Sequence, residues 1–312
     1  MTESANSLEI KFRSKLNSFS FFDWFKNPDE KKEKIALNLT TIAKRYHMEK
    51  KYIDAIRCAK ESIEICLKLD GFDYQIKQNI KLLLMCLEIK NLYTNAELIK
   101  LYEYVKQIYY KIGDLENFNE CCLKISTIYE KDDMINMALS ELEKSVHNEF
   151  TNHKILEKKA ELLIKISKYE EASHSYLKCA NLCMNKNEMT NIIYARPYFL
   201  MSILAIIATK NIEKINNCNN EILKQFINST INSLSIDGLF LTTLVKSFNN
   251  NDVDQFEKAC IQYEKFEKLN QLQVKLLIIS KEFFTGEPAE LDCDQFSNSD
   301  KSQNDPELFD LC

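Results

Sequence analysis

Glycine and proline are scarce in this sequence of 312 residues, which contains only four of each. No proline lies between Pro28 and Pro197, so over this stretch no residue interrupts a helix by removing a backbone donor. The α/β folds need glycine at many strand ends together with runs of valine and isoleucine, whereas apolar residues here recur at helical spacing. The composition therefore argues against an α/β fold and favours an all-α protein with short turns.

The residue patterns of common catalytic sites are also missing. No two glycines lie close enough to form a loop that holds nucleotide phosphates, and no histidine has a nucleophile pattern nearby. The 11 cysteines mostly occupy apolar helical positions, which is typical of reduced core thiols in a cytosolic protein. Cys179 and Cys183 lie one turn apart near His174, but zinc needs four ligands and no second pair has matching spacing. The sequence thus favours a protein that is not an enzyme, and it predicts no cofactor and no metal.

An aromatic residue followed three positions later by a small residue recurs along the chain. The pairs are Tyr52/Ala55, Tyr93/Ala96, Phe118/Cys121, Tyr169/Ala172 and Phe256/Ala259. Met134/Met137, next to Ala138, is a weaker copy. The intervals from Tyr52 to Tyr93 and from Met134 to Tyr169 are 41 and 35 residues, the length of a helix-turn-helix unit whose helices approach each other at the small residue. We expect a right-handed superhelical array of antiparallel helical hairpins, a tetratricopeptide-like α-solenoid, ending in a small helical bundle. The usual glycine and proline landmarks of such repeats are missing.

The apolar periodicity also gives approximate helix limits. The predicted helices are 5–18, 29–48, 51–69, 74–90, 95–111, 115–130, 133–148, 154–167, 169–185, 189–209, 219–233, 237–249, 252–268 and 270–284. Asp114 and Asp252 are expected to begin helices, and Gly113 to end one in the left-handed conformation. The predicted domains are an N-terminal helix with an aromatic loop (1–28), a helical-hairpin solenoid (29–209), a C-terminal helical bundle (210–286) and an acidic tail (287–312).

Charge is distributed unevenly along the chain. Residues 287–312 contain eight acidic residues and one lysine, a composition typical of a disordered acidic tail. The whole chain has a formal net charge of −5, so the part before the tail is mildly basic. Residues 11–60 are the most basic segment, with 13 lysines and arginines against 6 acidic residues.

Five aromatic rings lie in a short segment inside this basic region. They are Phe19, Phe21, Phe22, Trp24 and Phe25. Rings beside cations suit an anionic membrane surface, where each buried ring contributes up to about 1.5–3 kcal/mol and each cation about 1 kcal/mol. The alternative is a hydrophobic staple that closes the first helix, and the residues alone favour neither. Since the sequence has no signal peptide and no apolar run of 18 residues, membrane contact is expected to be peripheral.

The aromatic loop, the helical-hairpin array and residues 283–292 (Phe-Phe-Thr-Gly-Glu-Pro-Ala-Glu-Leu-Asp) together resemble the soluble NSF attachment proteins (SNAPs). These are adaptors that recruit the ATPase NSF to SNARE complexes. The likeness runs from about Ser18 to Asp292, with tyrosine and apolar positions in register around Tyr109, Tyr129 and Tyr194. The resemblance implies a cytoplasmic adaptor, peripheral on the cytosolic face of membranes, whose partners are the SNARE four-helix bundle, the NSF hexamer and an anionic membrane surface. It implies no nucleic acid.

The resemblance also implies roles for particular residues. Phe21 and Phe22 occupy the place of the phenylalanine pair that engages the membrane, and the other three rings extend it. The SNARE-binding residues it implies are Lys50, Lys154, Lys158 and Arg196. The NSF-coupling residues it implies are Asp252, Asp254, Glu290, Leu291 and Asp292. Leu291 is in register with a penultimate leucine that couples adaptor binding to ATP hydrolysis, and Leu311 is the competing candidate.

The sequence departs from the family pattern at both proposed contacts. Glu120 stands where the family has a lysine on the SNARE face, and Lys246, Asn249 and Asn250 replace glutamates expected to face NSF. The aromatic loop resembles the alpha branch of the family, whereas the long tail resembles the gamma branch. Two other functions stay open on sequence alone. One is a general peptide-binding scaffold or cochaperone without a membrane role, and the other is an all-α enzyme or its regulatory subunit.

Overall fold

The structure is a computed structural model that describes residues 3–17, 28–89, 92–145, 152–184, 189–218, 222–224, 226 and 235–286. These residues contain helices and no strand, so the all-α prediction is confirmed. The helices are α1 (Ala5–Asn17), α2 (Pro28–Met48), α3 (Tyr52–Cys66), α4 (Asp73–Leu87), α5 (Asn95–Lys111), α6 (Leu115–Lys131), α7 (Ile135–Glu143), α8 (Asn152–Lys165), α9 (Tyr169–Met184), α10 (Met189–Ile207), α11 (Ile212–Cys218), α12 (Ile236–Asn250), α13 (Val253–Glu264) and α14 (Gln271–Thr285).

One helix differs from the sequence-based expectation. The predicted helix limits leave residues 210–218 outside any helix, but α11 occupies Ile212–Cys218. The side chain of Asn211 accepts a hydrogen bond from the N–H of Lys214 at 3.1 Å, and Ile215 and Cys218 are buried one turn apart. Packing of this short apolar face therefore overrides the low helix propensity of the neighbouring asparagines. Most of the helix predicted at 219–233 lies outside the described residues.

The same tight turn joins consecutive helices at five places. In each turn a residue with positive φ follows the helix, and its N–H donates to the carbonyl three residues earlier. The next N–H donates to the carbonyl five residues before it, which is the Schellman arrangement. The positive-φ residues are Lys50, Gly113, Asp133, Ser167 and Asn251. The following helix always begins two residues later, and Gly113 has the left-handed conformation predicted for it.

Only one of these five positions is a glycine, although the conformation costs other residues about 1–2 kcal/mol. The glycines expected in such repeats are therefore missing because other residues take their place, while the turn itself is kept. The residue five positions after the positive-φ residue is buried in each case, namely Ala55, Phe118, Ala138, Ala172 and Phe256. Phe118 and Phe256 thus occupy the turn position of the alanines. The repeat predicted from sequence treats these two phenylalanines as equivalent to Tyr52 and Tyr169. Those tyrosines lie only two residues after the positive-φ residue, three positions earlier.

The helices group into two compact units, Met1–Ile128 and Tyr129–Cys312. In the first unit α2, α3 and α4 pack side by side around a buried polar contact. The amide nitrogen of Asn79 donates to the hydroxyls of Thr40 at 2.9 Å and Ser62 at 3.2 Å. The domain limits predicted from sequence are not tested by this grouping and stay predictions.

The second unit is built around α10. Every residue from Phe199 to Ala208 is buried, as expected for a helix that is apolar on all sides. α8 packs on α9 and α9 packs on α10, while α10 also contacts α11, α12 and α14. α12, α13 and α14 follow one another as packed neighbours. α10 is therefore in contact both with the α8–α9 pair and with the C-terminal helices.

Candidate functional site

The predicted membrane loop, Phe19 to Phe25, lies outside the described residues, but the helix that leads into it is well anchored. Glu9 of α1 is buried and accepts hydrogen bonds from Arg57 at 2.7 and 2.8 Å, from Tyr46 at 2.7 Å and from Arg13 at 2.7 Å. The hydrogen bond from Arg57 is the main reason that the pKa of Glu9 is lowered to about 2. A charged Glu9 therefore ties α1 to α2 and α3.

A stripe of lysines runs along one face of α8. Lys154, Lys158 and Lys165 are spaced by four and seven residues, which places them on the same side of the helix. We call these three residues the α8 lysine stripe. The sequence predicted Lys154 and Lys158 as SNARE-binding residues and missed Lys165, although helical spacing links it to the other two.

Two members of the α8 lysine stripe are held by an acidic side chain near the end of α6. Glu130 contacts Lys158 at 2.6 Å and Lys165 at 2.9 Å. Burial by itself raises the pKa of Glu130, but the hydrogen bonds from the two lysines outweigh it and keep the pKa below its ordinary value. Glu161 also lies 3.5 Å from Lys158. The charge of Lys158 is therefore largely compensated inside the protein.

Lys154 is in a different environment, because its side chain is exposed to solvent. Among the ion pairs between described side chains, none includes Lys154. Lys50 is also exposed, at the positive-φ position of the turn between α2 and α3 in the first unit. Both side chains are exposed, so a partner can reach these two predicted SNARE-binding residues directly.

Arg196 of α10 is engaged by two acidic side chains. Its Nε and one terminal nitrogen donate to the carboxylate of Asp237 at the start of α12, and the same terminal nitrogen contacts Glu267 at 3.1 Å. The side chain of Asp237 is only 1% exposed. The hydrogen bond with Asp237 is the largest cause that raises the pKa of Arg196. Most of the donor capacity of this guanidinium is therefore used within the second unit.

The predicted NSF-coupling residues fall partly outside the described residues, which end at Gly286. Asp252 is exposed and its carboxylate caps α13 by accepting from the N–H of Gln255 at 2.9 Å. Asp254 is exposed on the first turn of α13. Glu290, Leu291 and Asp292 lie outside the described residues. Lys246, Asn249 and Asn250 are exposed at the end of α12, just before the turn that leads to the two aspartates.

Four phenylalanines bring the end of α14 close to this turn. The ring of Phe284 lies 4.8 Å from that of Phe248 on α12 and 5.5 Å from that of Phe256 on α13. Phe283 also lies 4.8 Å from Phe248. Contacts at these distances are favourable for aromatic rings. The last described residues of the chain therefore lie beside the turn that carries Asp252 and Asp254.

The described part of the chain shows neither a metal-binding cluster nor a membrane-crossing helix. No group of three or more histidine, cysteine or acidic side chains among them is arranged to hold a metal ion. The thiol of Cys179 instead donates to the backbone carbonyl of His153 at 3.5 Å. None of the described helices has the length and apolar character required to cross a bilayer.

The fold and these charged surfaces define a helical-hairpin protein of the class that works by holding other macromolecules. Residues 3–284 match the family described as "Soluble NSF attachment protein, SNAP", and the chain belongs to this family. The fold of packed helical hairpins agrees with an α-solenoid. Family membership also supports the sequence-based view that the chain is an adaptor and not an enzyme.

The chain is also similar to a solved structure from Pyrococcus horikoshii, a Signal Transduction ATPase with Numerous Domains (STAND) protein with a tetratricopeptide repeat sensor. The identity is 21% and the TM-score 0.46, and the match covers 80% of this chain. This chain spans only 38% of that structure's length. A comparison with curated proteins gave no significant match.

Proposed function

We propose that this protein is a non-enzymatic adaptor for SNARE disassembly. It binds the assembled SNARE four-helix bundle on membranes, recruits the NSF hexamer and stimulates disassembly of the bundle during vesicle transport and fusion. It acts in the cytoplasm, peripherally on the cytosolic face of membranes. The observation that carries the proposal is the family match over residues 3–284, which includes nearly every helix.

The SNARE side of this proposal rests on exposed cations. A SNARE bundle is an acidic rod, and exposed lysines attract such a partner over long range and set its register more than they add affinity. Lys154 and Lys50 are exposed, which supports this role for both. Lys158 and Arg196 are held by internal carboxylates, so they contribute less to attraction than the sequence suggested.

The NSF side is proposed to comprise Asp252, Asp254 and the acidic residues after Gly286, with Leu291 as the coupling leucine. The position of α14 beside the α12–α13 turn supports a joint surface. Near that turn Lys246 is positive and Asn249 and Asn250 are neutral, where the resemblance leads us to expect glutamates. We propose that the acidic tail replaces the missing charge.

Co-sedimentation of the purified protein with a SNARE bundle and NSF, with and without liposomes, tests the proposal. We expect a ternary complex in both conditions, with more protein retained when liposomes containing anionic lipid are present. A protein that pulls down neither the bundle nor NSF at low salt is not this adaptor. Binding of free peptides through the hairpin groove, without any membrane retention, would instead support the peptide-binding scaffold.

A further inference from the structure

We infer that Arg196 is a positioning residue that holds α12 and α13 against α10. Its guanidinium, the carboxylate of Asp237 and the hydroxyl of Tyr263 form one connected cluster, which we call the Arg196 clamp. The cluster joins three helices, α10, α12 and α13, within the second unit. The resemblance to the family had placed Arg196 among residues that touch the SNARE bundle.

The geometry of Asp237 is the main reason for this inference. Its side chain is 1% exposed, so a negative charge there requires donors from the protein. Arg196 supplies two nitrogens to the two carboxylate oxygens, and the hydroxyl of Tyr263 donates to one of them at 2.8 Å. A paired, two-point contact of this kind fixes both distance and orientation. Removal of Arg196 leaves a buried carboxylate with a single side-chain donor.

The neighbours of the Arg196 clamp also favour a structural role. The ring of Tyr263 stacks on that of Phe240 with 4.2 Å between centroids, so the hydroxyl cannot easily turn away from Asp237. Glu267, just beyond α13, takes a further contact from Arg196 at 3.1 Å. An external carboxylate could form the same two-point contact through Nε and this terminal nitrogen only after Asp237 is released.

The location of the Arg196 clamp suggests what it does for an adaptor, and this part rests on the proposed function. α10 contacts α9, which packs on the helix that carries Lys154. Asp252 caps α13 and Asp254 lies in its first turn, and both are proposed NSF contacts. The Arg196 clamp therefore lies on the packed path between the two proposed binding surfaces. Loss of the Arg196 clamp should therefore lower the rate at which NSF disassembles a bound bundle more than it lowers the affinity for the bundle.

Hydrogen exchange of the full-length protein tests the Arg196 clamp without any partner. In Arg196→Gln we expect amide exchange of Ile236–Asn250 and Val253–Glu264 to accelerate about tenfold or more, while exchange of Tyr52–Cys66 in the first unit stays unchanged. Arg196→Lys should give an intermediate effect, since it keeps the charge and loses the two-point contact. Lys154→Gln, which removes the same charge from an exposed position, is the matched control and should leave both segments unchanged.

A second readout separates positioning from direct contact. At saturating adaptor, Arg196→Gln should lower the maximal rate of NSF-driven disassembly severalfold, while its dissociation constant for the SNARE bundle stays within about twofold of wild type. Lys154→Gln should instead raise the dissociation constant for the SNARE bundle and leave the maximal disassembly rate at saturating adaptor nearly unchanged. A loss of bundle affinity of fivefold or more in Arg196→Gln, with unchanged exchange, overturns the inference and restores Arg196 as a SNARE contact.

Should Arg196→Gln fold too poorly to measure, Tyr263→Phe provides a milder variant. It removes one donor to Asp237 and keeps the stacked ring, so α12 exchange should accelerate about two- to fivefold. Unchanged exchange in Tyr263→Phe overturns the inference as well. If wild-type protein binds neither the bundle nor NSF, the proposed function fails, but the exchange measurements still decide whether the Arg196 clamp holds the helices.

Discussion

Glu9, Glu130 and Asp237 are largely buried, and each carboxylate receives donors from at least one other helix. Breaking a buried pair by removing one partner costs about 3–5 kcal/mol when both charges are buried, because the other charge stays without compensation. The cations here are partly exposed, which reduces that cost. Each of these acidic side chains still favours one packing of its helices over others.

The first prediction concerns Glu9 and pH. Its lowered pKa means that its contribution to stability is complete above the ordinary value of about 4.5 and disappears as pH falls toward about 2. We expect Glu9→Gln to lower the free energy of unfolding by about 1.5–3 kcal/mol at pH 7, since hydrogen bonds to a charged group are lost. The difference from wild type should shrink between pH 4.5 and pH 2. Urea unfolding at several pH values measures both effects.

The matched control for this experiment is Glu3→Gln. Glu3 pairs with Lys11 at 2.6 Å, but both side chains are substantially exposed, and exposed pairs add little to stability. Equal destabilisation by Glu3→Gln and Glu9→Gln would contradict the argument that burial makes the Glu9 cluster important.

A second prediction separates the two members of the α8 lysine stripe that the sequence treated alike. Lys154→Gln should leave the unfolding free energy within about 0.5 kcal/mol of wild type, because the side chain is exposed. It should weaken SNARE-bundle binding, most strongly at low salt. Lys158→Gln should instead destabilise the protein by about 1–3 kcal/mol, since Glu130 is left with one fewer partner. Chemical unfolding together with bundle binding at two salt concentrations measures the contrast.

At the scale of elements, the repeated turn explains how a chain with four glycines builds short connections. The hydrogen bonds of the Schellman arrangement satisfy the last carbonyls of one helix, and the next helix begins two residues later. The turn tolerates lysine, aspartate, serine and asparagine at the positive-φ position. Each such residue carries backbone strain that glycine would not have.

The third prediction uses this strain. Ser167→Gly should raise the unfolding free energy by about 0.5–1 kcal/mol, because relief of the left-handed strain exceeds the added entropy of the unfolded chain. Gly113→Ala should lower it by about 1 kcal/mol. A Cβ at Gly113 meets no atom within 4 Å, so this cost is conformational and not steric. Thermal and urea unfolding measure both, and Ser167→Ala is the control that should change little.

At the scale of the whole molecule, the proposed function needs a membrane contact at the start of the chain and an ATPase contact at its end. Replacement of Phe21 and Phe22 by serine tests the first. We expect disassembly of liposome-anchored SNARE bundles to slow severalfold, while disassembly of soluble bundles changes little. The physical reason is the loss of two rings that would insert into the bilayer interface. Equal loss in both assays would indicate that the rings belong to the protein core.

Deletion of residues 287–312 tests the second contact. The tail carries eight acidic residues, so its loss should weaken NSF binding at low salt and less so at moderate salt, where charges are screened. The measurement is the affinity of wild-type and shortened protein for NSF at low and at moderate salt. An unchanged affinity at low salt would exclude the tail, including Glu290, Leu291 and Asp292, from the NSF contact.

The sequence by itself determined that the protein is all-α, where most helices lie and how the acidic tail alters the charge. These properties depend on the spacing of apolar residues, on helix propensity and on the positions of charges, all of which can be read within a short segment of sequence. Even so, α11 was missed, because the burial of Ile215 and Cys218 depends on packing against other helices, α10 and α12 among them, which local spacing does not show. The family resemblance in the residue pattern was likewise visible before the structure.

Only the tertiary structure decided which charged residues are available to a partner. Lys154 and Lys158 have equivalent positions in the sequence pattern, yet Glu130, 28 residues before Lys158, holds one of them and leaves the other exposed. Asp237 lies 41 residues from Arg196 and engages it in the same way. Pairings between such distant segments arise from helix packing, which burial and charge compensation stabilise only in the folded state.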